Sequence, residues 1–141
     1  MAVFAIHVAL LMFRQYEYAY VFNNTRNQMP EIYRFSAAWA AQEGSFLLWA
    51  LTSSVFAAWV ARATGVYRRW FTVICAVVLA AILGIIAYES PFRHTPLAPD
   101  LLATLPQGQT TVLPPDGRGL NPLLQNYWMA IHPWVIFIGF G

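Results

Sequence analysis

Apolar and polar positions alternate along this chain in long blocks. Met1–Phe13 is apolar from its first residues, Phe35–Ala61 and Trp70–Tyr88 are two longer apolar runs, and a fourth begins near Tyr127 or Pro133 and reaches Gly141. A helix rising 1.5 Å per residue needs about 20 apolar residues to cross the roughly 30 Å hydrocarbon core of a bilayer. Phe35–Ala61 is long enough to span with tilt, and Trp70–Tyr88 reads as an unbroken span. Met1–Phe13 would rise only about 20 Å and lacks the basic leader of a cleavable signal peptide. The pattern predicts an all-α polytopic membrane protein, a single transmembrane region over residues 1–141 with two complete spans and two partial ones. The first segment is apolar from Met1 and the last stops at Gly141 in mid-run; both look cut, so the chain reads as part of a larger polytopic protein or as one piece of a split one.

Composition agrees. The chain is 59% hydrophobic and 10% charged, against about 25% charged in a soluble domain. All eight basic residues are arginines and the net charge is only +2, too small and too scattered for nucleic-acid binding; the partner implied by the composition is the lipid bilayer. Loop charges orient the spans. The connection 62–69 carries Arg62, Arg68 and Arg69 and no acid, which makes it cytoplasmic by the positive-inside rule. Alternation then puts 21–34 and 89–126 outside. The second outer loop, Glu89–Asn126, holds seven of the nine prolines and has no helix or strand periodicity. Cys75, the lone cysteine, lies in an apolar run and reads as a buried thiol.

Two constellations carry candidate chemistry. His132 follows a polar stretch and precedes Pro133. Asn121 suits a helix cap with Pro122 at the first position, so a short interfacial helix is expected to run through Ile131. Pro133 would then open the next helix, leaving His132 at the junction between Trp128 and Trp134. Such an imidazole is either a ligand for the iron of a flat, apolar cofactor or a hydrogen-bonded corner residue. The second constellation is Glu43 with Gln42 and Trp39. An acid in a span needs a partner or water, and helical spacing puts Trp39, Gln42, Glu43 and Phe46 on one side, beside small residues that let a neighbouring helix approach. Glu43 reads either as a proton relay or cofactor contact, or as a satisfied packing group. His7 reads as a satisfied helix histidine and His94 as a solvated loop histidine.

The segment Tyr33–Trp49, YRFSAAWAAQEGSFLLW, and the segment Gly117–Pro133, GRGLNPLLQNYWMAIHP, together resemble the CcmF-type cytochrome c haem lyases over nearly the whole chain from Tyr20 onward. The resemblance implies haem handling at the outer face of the bacterial inner (cytoplasmic) membrane, with loops 21–34 and 89–126 periplasmic. It implies b-type haem, received from a haem chaperone and attached to apocytochrome c among other cytochrome c maturation membrane subunits. His132 falls on the family's first outer haem ligand, with Trp128 and Trp134 as cofactor-binding neighbours; no catalytic residue is assigned. Trp134, Phe137 and Ala40 depart from the family pattern. The family's tryptophan-rich motif and second histidine do not occur in these residues, so catalysis by this chain alone is not expected. Two rivals stand beside this reading: a membrane transport subunit using Glu43 as an ion or proton site, and a non-catalytic assembly subunit.

Overall fold

The computed structural model describes residues 1–95 and 114–140, and among these the chain is helical with no strand. Helix α1 (Ala2–Met12) buries Phe4, His7 and Leu11 along one stripe. It closes with the Arg14 amide on Leu11 O (3.2 Å) and the Gln15 amide on Leu10 O (3.0 Å). Arg14 takes φ 56 there, a left-handed closing position that glycine fills more cheaply. Two short helices come next, α2 (Ala19–Asn24) and α3 (Glu31–Ser36), then a 3-10 turn Ala37–Trp39. Helix α4 (Gln42–Val60) turns at Gly65 (φ +50) into α5 (Arg68–Tyr88). A 3-10 turn, Pro122–Leu124, leads into α6 (Tyr127–Phe140).

The helices Gln42–Val60 and Gly65–Tyr88 are each long and apolar enough to cross a membrane. They form an antiparallel pair in contact. On α5 the covered positions are Phe71, Cys75, Leu79, Ile82 and Ile86, one stripe at helical spacing, while Val73, Ile74, Val77, Val78, Leu83 and Ile85 lie exposed. A helix apolar on every side is stable only against lipid or further protein. The helix expected as the third span is therefore present, and it is long and apolar enough to cross. The second is shorter than the sequence suggested: Phe35 belongs to α3, and the span begins at Gln42, after the extended residue Ala41 (φ -118, ψ 170). Helices α1 and α6, with 11 and 14 residues, rise about 17 and 21 Å and match the two partial segments.

The connections expected outside do lie together. Ala19 N donates to Arg93 O (2.8 Å), Thr95 N to Glu17 O (2.7 Å) and Arg118 N to Phe22 O (2.7 Å), which sets residues 16–27, 89–95 and 114–120 at one end of the α4–α5 pair. Pro96, Pro99 and Pro106 of the proline-rich loop lie outside the described residues.

Candidate functional site

The corner where α3 passes into α4 explains the first motif residue by residue. Tyr20 is buried; its hydroxyl donates to Ala37 O (2.9 Å) and accepts from Ala41 N (3.3 Å). Burial pushes this phenol well above the ordinary tyrosine range. The His7 ring lies edge-on to Tyr20 (4.6 Å) with Nε2 against Ala38 O (3.1 Å), so His7 is the satisfied helix histidine expected. Gly44 leaves room for the Ala38 carbonyl and the Tyr20 hydroxyl, both of which a Cβ would strike. The Ser45 hydroxyl donates to Trp39 O (2.9 Å). Ala41 is thus bent out of the helical path (φ -118, ψ 170), its amide held by the Tyr20 hydroxyl from outside its own segment.

Helix α6 rests on this corner. Trp134 meets Trp39 edge-on (5.4 Å, 84°) and Phe4 likewise (6.4 Å). Further along, Phe137 stacks on Trp49 (6.3 Å) and Phe140 lies beside it. The two contact levels run in chain order, from Trp39 just before α4 to Trp49 within it and from Trp134 to Phe137, so α6 runs parallel to α4 and its beginning lies at the loop-bearing end. His132, two residues before Trp134, stands at that end, exposed and without a hydrogen bond among the described residues. Trp128, 72% exposed, is one turn earlier on the same face; Trp134 is about 200° away around the axis. Helix α6 sets His132 and Trp128 on one exposed face and gives Trp134 to the packed face.

The expected junction at His132 is corrected. The Asn121 side chain does cap the turn, accepting from Leu123 N (3.0 Å), and Pro122 comes after it, but that turn ends at Leu124. Helix α6 starts at Tyr127, with Asn126 Oδ1 accepting from Trp128 N (3.1 Å), and runs through Pro133 without a break. An internal proline costs about 3 kcal/mol; the aromatic contacts of Trp134 and Phe137 offset it and hold the helix on course.

Glu43 and Gln42 diverge. Glu43 lies in the first turn of α4 and lines a polar pocket of about 310 Å³ with Tyr20, Asn23, Asn24, Ser90 and Arg93. Gln42 shares an apolar crevice of about 270 Å³ with Ser45, Phe46, Trp49 and Phe137. Trp39 sits in the turn before the helix, so the expected common face of Trp39, Gln42, Glu43 and Phe46 does not form. The exposed ring of His94 stacks on Tyr18 (5.2 Å).

The second motif begins in a clasp. Asp116 Oδ1 accepts from Asn27 N (2.7 Å) and Gly117 N (2.8 Å), Asn27 Nδ2 donates to Pro115 O (2.9 Å), and the Tyr16 hydroxyl donates to Asn27 Oδ1 (2.9 Å). Arg118 lies over the Phe22 ring (5.6 Å). The backbone bond from Asn27, and after it that from Gly117, holds the Asp116 carboxyl below its usual range, with Tyr16 and Arg26 adding to the effect. A carboxyl depressed by folding stabilises fully at neutral pH, and that contribution is lost as pH falls through the folded value. In an NMR titration the Asn27 amide should track this low carboxyl transition, and Asp116→Asn should abolish it. Titration at the ordinary carboxylate position would mean that the bond does not hold the charge.

The sequence profile of the family described as cytochrome C assembly protein matches residues 39–141, from Trp39 onward. The chain belongs to that family. The cytochrome c-type biogenesis protein CcmF of Pseudomonas fluorescens is 34% identical over 122 residues, covering 86% of this chain and 17% of that protein. CcmF of Pseudomonas aeruginosa is 35% identical over 130 residues, with 86% and 17% covered. CcmF of Escherichia coli K12 is 30% identical over 142 residues, with 97% and 20% covered. The likeness is thus to CcmF-type proteins, and the chain spans 17–20% of the length of these relatives. No solved structure matches. Sequence reasoning missed Tyr20 as the hub of the family's first motif. The signal available was weak: Tyr20 is one of three tyrosines at alternate positions, with Tyr16 and Tyr18, and nothing local singles it out.

Proposed function

We propose that this chain serves cytochrome c maturation by presenting His132 as an axial ligand to haem iron at the outer rim of the bacterial inner membrane, with Trp128 against the porphyrin. Haem is here the substrate, delivered by a haem chaperone and passed to apocytochrome c in company with other membrane subunits. The observation that carries the reading is the exposed imidazole of His132, unbonded to protein among the described residues and one turn from an exposed tryptophan. No three His, Cys, Asp or Glu side chains gather as a metal site among the described residues. A metal whose other ligands come with its own macrocycle fits that arrangement, because it asks the protein for one lone pair per face. The chain's residues supply binding, orientation and exclusion of water; bond formation between vinyl group and thiol belongs to haem and the apocytochrome. Trp134 acts at one remove, through Trp39, by fixing the height of α6. The arginines of 62–69, opposite the loops beside His132, support the periplasmic side.

The test is haem titration of the membrane-reconstituted chain, monitored by absorbance. His132→Ala should abolish the histidine-ligated spectrum and lower haem affinity at least about tenfold, or roughly 1.4 kcal/mol. Trp134→Phe should leave the ligation spectrum unchanged. Full retention of ligation in His132→Ala would end the proposal.

A further inference from the structure

We propose that the pocket between Glu43 and Arg93 holds the headgroup of a phosphatidylethanolamine-type lipid, the ammonium on Glu43 and the phosphate on Arg93. Three segments converge here: one face of α2, the start of α4 and the residues just after α5. The last two are the loop-side ends of the two spanning helices, so the pocket lies where lipid headgroups lie. Its volume, about 310 Å³, is at the small end of ligand sites and suits a headgroup better than a whole cofactor.

The lining has zwitterionic complementarity. Glu43 is part-buried and has no ion pair or hydrogen bond among the described residues. An acid at the edge of an apolar span calls for a cationic or hydrogen-bonding partner. Its place in the first turn of α4 also sets the carboxylate at the positive end of the helix dipole, where negative charge is favoured. Arg93 lines the same pocket, its exposed side chain tethered by Glu89 Oε2 (3.2 Å) and by the Tyr88 carbonyl. That tether fixes the guanidinium near the pocket without using all five donors, and guanidinium groups bind phosphate oxygens strongly. Asn24 spends its amide nitrogen on Tyr20 O (2.8 Å), leaving its carbonyl oxygen as an acceptor for an ammonium proton. Exposed Ile85 and Tyr88 at the end of α5 offer an apolar path for the acyl chains. The occupant is a lipid rather than a soluble zwitterion because only a lipid satisfies the charged pocket and this flanking surface together.

The site is independent of His132. The delipidated chain is exchanged into bilayer discs of phosphatidylethanolamine, phosphatidylcholine or phosphatidylglycerol, and lipid retained after extraction is counted by mass spectrometry. The ethanolamine lipid should be retained about tenfold over the other two, since choline lacks N–H donors and glycerol lacks the cation. Glu43→Gln and Arg93→Gln should each abolish the preference, while both variants keep the wild-type unfolding midpoint in lipid-free detergent and His132→Ala keeps the preference. Equal retention of all three lipids, or an undiminished preference in Glu43→Gln, overturns the proposal. So does binding of soluble phosphoethanolamine with no lipid retained.

Discussion

Gly44→Ala is expected to destabilise the chain by about 3 kcal/mol, the upper end of overpacking costs. The added methyl meets the Ala38 carbonyl oxygen and the Tyr20 hydroxyl, with the Ala38 carbonyl carbon 2.9 Å away. Two of these three atoms are backbone, and the third is locked by its bonds to Ala37 O and Ala41 N. None of them can swing aside as the end of a flexible side chain would. Relief requires α4 to move off the corner, which also disturbs His7 on Ala38 O and Ser45 on Trp39 O. The matched control is Gly84→Ala. Gly84 lies in α5 with open space around it, and alanine is better than glycine in a helix by about 1 kcal/mol. The same chemical change should therefore have opposite signs at the two positions, read as unfolding midpoints in mixed micelles. Adding Tyr20→Phe to Gly44→Ala removes the hydroxyl but not the carbonyl, so rescue should be partial. Equal stability of the two single variants would show that the corner is looser than its geometry implies.

The contrast between these glycines also shows where sequence reading succeeds. Period and length alone located α5, because an unbroken apolar run has no competing local structure. They also located α1 and α6 as short apolar segments. They overextended α4 to Phe35, since nothing local to Ala40 and Ala41 breaks a helix; the break is imposed by Tyr20 and Gly44, which meet only in three dimensions. The same holds at Pro133. Local rules make it a helix start, whereas Trp134 and Phe137 hold one continuous helix against α4. For the candidate site, the sequence set both Trp128 and Trp134 beside a junction at His132; in the continuous helix α6 only Trp128 shares the exposed face of His132. The assignment of Trp134 to the other face depended on where α6 begins, and element boundaries are the least secure part of a pattern argument. Glu43 was recognised as needing a partner, but its pocket is built by Asn23, Asn24, Ser90 and Arg93, which are remote in sequence from α4.

Gly117→Ala should lower haem affinity by about tenfold, roughly 1.4 kcal/mol, without removing any group proposed to touch haem. The new methyl would strike Thr25 O and come within 2.8 Å of Phe22 O and 3.0 Å of the Tyr16 ring. The clasp at Asp116 then opens, because Gly117 N and the neighbouring Arg118 N and Gly119 N are all bonded within it or to its backbone partners. Helix α6 should respond differently along its length. Its later half is held by Trp134 and Phe137 against α4 and should keep its packing. Its first turns carry Trp128 and His132, and they are anchored upstream by the run from Asp116 through buried Leu120 to the Asn121 cap, with Leu124 packed on the core. Freed at that end, His132 keeps its lone pair but loses its fixed height, and a ligand without a fixed position binds more weakly because ordering must be supplied on binding. The spectrum of the haem that does bind should stay histidine-ligated, which separates this variant from His132→Ala. Hydrogen exchange should show loss of protection at Asn27, Gly119 and the start of α6, with α4 unchanged. If the clasp amides lose protection while haem affinity stays at the wild-type value, the anchor does not govern the ligand, and the position of His132 is set by α4 alone.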